Sequence, residues 1–225
     1  MTDHIPSLEE SVEFADNPEP RCPCILLLDV SGSMKGAPLE ALQKGLQAFK
    51  DELSRDALAA RRVEVAIVTF NSVVEVAQDF VTVDAFNPPQ LKAQGMTHMG
   101  SAILKGLDML TSRKAQYRAN GIVYYRPWVF LITDGAPQGE PDSVIEAAAM
   151  RVRDEETARK VAFFAVGVEG ADINRLASIS VRAPVRLIGL NFVEMFVWLS
   201  ASMQRVSQSR VDDQVALPPP GWGAV

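Results

Sequence analysis

The chain has 225 residues, 48% of them hydrophobic and 22% charged, with a net charge of -6. That length supports one globular domain with a sizeable core, and the acidic balance argues against a nucleic-acid footprint. Two cysteines, Cys22 and Cys24, stand too close around Pro23 for an unstrained disulfide and are too few for zinc, so reduced thiols are expected.

Residues 1–20 carry Asp3, Glu9, Glu10, Glu13, Asp16 and Glu19 with neither the basic nor the apolar region of a secretory signal. They read as an N-terminal extension, and the expected location is cytoplasmic. No apolar run approaches the ~20 residues of a membrane span. From 21 to 210 the apolar pattern alternates between short β-rich runs and helical stripes, as in an α/β fold. Cys24 to Leu28 reads as a buried strand that ends in the polar turn Asp29-Val30-Ser31-Gly32-Ser33. Pro38 suits a first helical position, and Leu39, Leu42, Leu46, Phe49 and Leu53 stripe a helix to about Arg55. Val63 to Phe70 and Val73 to Phe80, joined across Asn71-Ser72, read as a hairpin with one antiparallel strand.

After the loop Asn87-Pro88-Pro89-Gln90, Ile103, Leu107 and Leu110 support a helix from about Met99 to Ser112. Trp128 to Thr133 is a buried strand, and Pro141 opens a helix that turns Val144, Ile145, Ala148 and Val152 inward. Val161 to Val168 is another strand, Asp172 caps a short helix to about Ile179, and Val185 to Ile188 is the last strand. Asn191 with Glu194 three residues on has the form of a capping box, and Phe192, Phe196, Leu199, Met203 and Val206 stripe the final helix. The tail, 211–225, with Pro218-Pro219-Pro220-Gly221, is expected to be extended and flexible. The whole predicts a three-layer α/β/α fold with a mostly parallel six-stranded sheet and one antiparallel edge strand.

The candidate site follows from where such a sheet places functional groups, beyond the carboxyl ends of its strands. Asp29, Ser31 and Ser33 alternate on the first turn, Asp134 directly follows the strand ending at Thr133, and Thr97 precedes a helix. If the strands bearing Asp29 and Asp134 are neighbours, two carboxylates and three hydroxyls converge. An all-oxygen set with two carboxylates suits Mg²⁺, with Mn²⁺ or Ca²⁺ as alternatives, and leaves the ion electrophilic enough to want an anionic further ligand.

On these residues the chain resembles the von Willebrand factor A (VWA) domain, whose metal-ion-dependent adhesion site (MIDAS) uses Asp-x-Ser-x-Ser, a loop Thr and a later Asp. The resemblance implies direct ligation by Ser31, Ser33 and Thr97, with Asp29 and Asp134 acting through waters and a partner's Asp or Glu completing the shell. Leu28 to Met34, Ile132-Thr133-Asp134-Gly135 and Phe196 to Ser202 resemble most closely the TerY-type tellurium-resistance VWA proteins. That implies a bacterial, cytoplasmic, stress-response interaction module working with a serine/threonine kinase and a protein phosphatase, binding neither nucleic acid nor membrane. Met96 stands where the family usually has Gly before the Thr.

Each residue also has a plainer role. Thr97 alone could be a helix N-cap, Met34, Met96 and Met99 are by default core fillers, and Arg61-Arg62 and Arg151-Val152-Arg153 are by default solvated charges. His98 adjoins a candidate ligand, but with His4 as the only other histidine no His-rich zinc site is available. Trp198 reads as a packing residue. The alternative function is a Mg²⁺-dependent phosphohydrolase of haloacid-dehalogenase-like type. It is disfavoured because Ser31 stands where that chemistry needs a second carboxylate as general acid.

Overall fold

The computed structural model describes residues 8–211 and 213–224, with side chains from residue 12; His4 lies outside them. Chain order is α1 (Leu8–Asp16), β1 (Cys22–Asp29), a 3₁₀ turn (Gly32–Met34), α2 (Ala37–Ser54), α3 (Ala57–Arg62), β2 (Val63–Phe70) and β3 (Val74–Thr82). Then come α4 (Met99–Ala119), β4 (Trp128–Thr133), α5 (Asp142–Thr157), β5 (Ala162–Gly167), α6 (Ile173–Ile179), β6 (Val185–Leu187), α7 (Phe192–Gln208) and β7 (Gly223–Ala224). One seven-stranded sheet runs in the order β3-β2-β1-β4-β5-β6-β7. β1 pairs in parallel with β2 on one side and β4 on the other, Leu28 lying opposite Thr69 and Ile132.

Period-two alternation sorts the core into two layers. Leu26, Leu28, Val65, Ile67, Phe130 and Ile132 face the layer built with α2 and α7. Ile25, Leu27, Ala66, Val68, Val129 and Leu131 face the layer built with α4 and α5. Because both faces are covered, β1, β2 and β4 are apolar nearly throughout, which is why they read as continuous runs. Helices α2 and α7 approach closely at Gly45, where a Cβ would lie 2.7 Å from Phe196 and 2.9 Å from Phe192.

Several expectations are corrected. The sheet has seven strands, and both edge strands, β3 and β7, are antiparallel to their neighbours. The segment expected to form a flexible tail packs over its described part: Trp222 is buried against Trp198, whose indole N–H donates to Pro218 O, and Gly223 and Ala224 pair with β6. A two-residue strand has no periodicity to read. Helix α3 adds an element that apolar spacing did not signal, capped by Asp56, which accepts from the Leu58 and Ala59 N–H groups. Helix α4 runs seven residues past the expected Ser112, and Asn191 makes no side-chain cap to α7. Arg62 is more than a solvated charge, since it is half-buried, pairs with Glu19 at 2.7 Å and donates to Ser207 O, and Arg151 pairs with Asp108.

At the amino end of the parallel strands, Glu64 is wholly buried in β2. Its carboxylate accepts from Arg21 Nε at 2.8 Å, from Arg113 Nε and Nη2 at 2.9 Å and from the Tyr117 hydroxyl. Arg21 also donates to Glu19 O and Asn17 O, while Arg113 lies 4.9 Å above the Phe14 ring and pairs with Glu13. This network ties α1 to the sheet. Cys22 and Cys24 are buried and unpaired. Burial, and then the nearby Glu64 charge, pushes the Cys22 thiol up to about 12; burial raises Cys24 well above its usual range.

Glu64→Ala strands two buried guanidinium groups and is expected to cost about 3–5 kcal/mol, read as a lower urea midpoint at unchanged m value. With both thiols protonated and enclosed, a thiol-specific reagent at pH 8 should label neither cysteine until denaturant unfolds the chain. Stoichiometric labelling of the native protein would contradict the burial.

Candidate metal centre

The site lies where the sheet changes direction of growth. From β1 the chain passes to β2 and β3 on one side and returns to β4 on the other, so the carboxyl ends of β1 and β4 flank a crevice. Asp29 ends β1 and Asp134 follows β4 immediately, and this parallel pairing, with Leu28 opposite Ile132, brings them to one place.

Asp29 is fully buried and both of its oxygens are engaged. Oδ1 accepts the Ser31 N–H at 2.8 Å, and Oδ2 accepts the Thr133 hydroxyl at 2.5 Å. The first bond folds the backbone so that Ser31 turns back over the strand end, an Asx-type closure. Ser31 Oγ and Ser33 Oγ are 3.0 Å apart, and Ser33 Oγ donates to Asp134 Oδ1 at 2.9 Å. Four of the five sequence-derived residues therefore form one connected set of oxygens. Exposure grades along it: Asp29 and Ser31 are buried, Asp134 is half-buried and Ser33 is exposed, so the set opens to solvent on one side.

Thr97 reaches the same end of the sheet through its backbone. The Gly32 N–H donates to Gly95 O at 3.0 Å and the Gln94 N–H to Val30 O at 2.9 Å, stitching the loop to the Asp29 turn. Thr97 itself is buried and exchanges both backbone bonds with Gln138, in the loop after Asp134. Met96 does not force the loop into strain. The left-handed conformation falls on Gly95, at φ 72°, where a Cβ would lie 2.6 Å from Ser72 Oγ. Met34 and Met99 are core residues, but Met96 is 53% exposed beside the site.

The plain reading of Thr97 as an N-cap does not hold, because His98 occupies the cap position of α4 and makes no side-chain cap bond. Glu140 caps the helix across space instead. Its carboxylate accepts the Gly100 N–H at 2.6 Å, the Ser101 N–H at 3.0 Å and the Ser101 hydroxyl at 2.9 Å. Glu140 and Thr133 are positioning residues that the sequence reading missed. Only the Thr-Asp-Gly context hinted at Thr133, and nothing local signals Glu140, which lies forty residues from its partners.

Burial raises the Asp29 pKa against the lowering effect of its hydrogen bonds, and the Asp134 charge raises it further. Burial also raises Asp134, opposed by the Ser33 hydroxyl. Two carboxylates held in a partly desolvated crevice are stabilised by a cation placed between them. Among the described residues no group of three or more His, Cys, Asp or Glu forms a metal cluster, so a cation here would draw on the hydroxyls as well. The oxygen-only donor set fits a hard divalent ion.

The family model for the von Willebrand factor type A domain matches residues 24–186. The chain belongs to that family. No curated protein matches the sequence. Among solved structures, this VWA chain is similar to a von Willebrand factor type A protein from Catenulispora acidiphila, with TM-score 0.62 and 16% identity, covering 83% of this chain and 43% of that one. It is also similar to the open conformation of the pilus adhesin SpaC from Lactobacillus rhamnosus GG, with TM-score 0.67 and 15% identity over 83% of this chain and 30% of that one. A third is proximal thread matrix protein 1 from the mussel byssus with a zinc-occupied MIDAS motif, with TM-score 0.52 and 15% identity over 83% of this chain and 48% of that one. The chain spans less than half the length of each, and at these identities the likeness is one of fold. Among the described residues no helix is long and apolar enough to cross a membrane.

Glu140→Ala removes a charged acceptor from three donors at the start of α4. The expected cost is about 1–2 kcal/mol, measured as a fall in Tm of about 2–8 °C. An unchanged Tm would show that water replaces the carboxylate without loss.

Proposed function

We propose that this VWA domain is a metal-dependent protein-interaction module of the MIDAS type. In this reading Asp29, Ser31, Ser33, Thr97 and Asp134 hold one divalent cation, Mg²⁺ by preference with Mn²⁺ or Ca²⁺ as substitutes. The connected oxygens of Asp29, Ser31, Ser33 and Asp134, closed on the strand side and open to solvent on the other, carry this reading. When bound, the ion supplies a Lewis-acidic charge that a partner's Asp or Glu can meet. The chain's own contribution is orientation: Thr133 and the Ser31 N–H fix the Asp29 carboxylate, and the bonds from Gly32 and Gln94 hold the Thr97 loop. The exposed Met96 offers the partner an adaptable apolar contact at the rim.

The same geometry supports binding over hydrolysis. Asp29 is enclosed with both oxygens accepting hydrogen bonds, a poor arrangement for a nucleophile that must reach phosphorus. We place the module in the bacterial cytoplasm, in a tellurite or stress-response system whose kinase and phosphatase are its partners. That assignment is supported by the resemblance of Leu28 to Met34 and Phe196 to Ser202 to the TerY type.

Calorimetric titration of Mg²⁺ should give saturable binding to the wild type, weakened at least about tenfold in Asp29→Ala and in Asp134→Ala, the loss expected for removing one charged ligand. Equal heats for all three proteins would refute the metal site. Capture of the kinase or phosphatase by the immobilised domain should be lost in EDTA, and retention in EDTA would refute the metal-bridged contact.

A further inference from the structure

A second concavity lies at the opposite pole of the sheet, about 20 Å from the Asp29 crevice by the length of a six-residue strand. Its volume is about 620 Å³. It opens against the starts of β4 and β5 and is walled on one side by Leu217 of the C-terminal segment. Three arginines line it, Arg126, Arg159 and Arg182, in a chain whose net charge is -6.

Their charge is incompletely met. Arg182 Nε binds Glu156 Oε1 at 2.7 Å; Arg126 Nη2 stands 3.6 Å from the same oxygen, and Arg126 donates to Val161 O at 2.6 Å and Glu156 O at 3.1 Å, so the one carboxylate is shared by two guanidinium groups. Among the described residues the Arg159 guanidinium has no partner. Asp213 also lines the cavity, and its Oδ2 accepts the Arg210 N–H. Burial, then the like charges of Arg182 and Arg159, lowers the Arg126 pKa against the opposing effect of Glu156. Phe164 stacks on Phe130 at 4.7 Å and carries the Arg182 guanidinium over its ring at 5.2 Å, so that guanidinium is what meets the cavity.

Arg159 adds an independent sign. It follows the end of α5 in a left-handed conformation, φ 54°, and is the one non-glycine residue with positive φ among those described. Its N–H donates to Glu156 O at 2.9 Å and the Lys160 N–H to Glu155 O at 2.8 Å, a helix ending that glycine ordinarily occupies. Helix termination alone would favour glycine there, whereas arginine places a free guanidinium on the cavity rim.

We propose that this cleft binds a small phosphorylated ligand bearing a planar ring, of the nucleoside phosphate class, independently of the metal centre. The volume falls in the range of small-ligand sites. Guanidinium forks match phosphate oxygens, and the planar Arg182 guanidinium, backed by Phe164 and 44% exposed, offers its own face to a flat ring.

Calorimetric titration of the full chain with ADP, in EDTA so that the metal centre plays no part, tests this directly. Saturable binding is expected, weakened at least about tenfold in R159G and in R182A, the loss of one charge-assisted hydrogen bond each. R159G should not lower the Tm, because glycine suits the left-handed position, so lost binding there cannot be ascribed to misfolding. Inorganic phosphate should bind at least about tenfold more weakly than ADP, lacking the ring. Absence of saturable ADP binding at millimolar concentration, or undiminished affinity in R159G, would overturn the site. Equal affinity for phosphate and ADP would overturn the ring's part in it.

Discussion

The parallel pairing of β1 with β4 is the constraint on which the candidate site depends. Two residues separated by 105 positions, Asp29 and Asp134, become neighbours only because Leu28 stands opposite Ile132 in the sheet. The pairing sits between one excursion to β2 and β3 and a return on the far side of β1, so the crevice is a consequence of strand order. Once it exists, local chemistry completes it: the Asp29 carboxylate bends its own turn, and Thr133, the last residue of β4, holds the other oxygen.

The same sheet manages buried charge differently at its two ends. At the carboxyl end the carboxylates lack a cationic partner among the described residues, and burial raises both Asp29 and Asp134. At the amino end Glu64 is enclosed with Arg21, Arg113 and Tyr117, and Glu13 on Arg113 supplies the second carboxylate, so the two positive charges meet two negative ones. A fully compensated network makes a rigid anchor, while an uncompensated pair has a use for an ion.

Much of the fold was legible because apolar runs and stripes are local signals, and Asp29, Ser31, Ser33 and Asp134 were legible because each stands next to such a run. Their convergence was conditional on a strand order that no single segment encodes. What escaped reading depends on contacts between distant residues. Glu140 caps a helix forty positions upstream, and Arg62 is held by Glu19 and by Ser207, 145 positions away. The Asn191 pattern had the right residues for a capping box, yet its side chain makes no cap, a case of tertiary context overriding local chemistry. Strand β7 is too short to show a period, and its place is set by Trp222 packing on Trp198.

That short strand also changes what the molecule presents to copies of itself. A sheet growing outward from β5 and β6 would otherwise offer an unpaired backbone row to any passing extended chain. Gly223 and Ala224 pair with Leu187 and Arg186 and cover that row there. The far border is β3, whose pairing with β2 is irregular and whose length carries Glu75 and Asp79. That border is no flat, uncharged ribbon, so the β3 side of the sheet is guarded against edge-to-edge pairing.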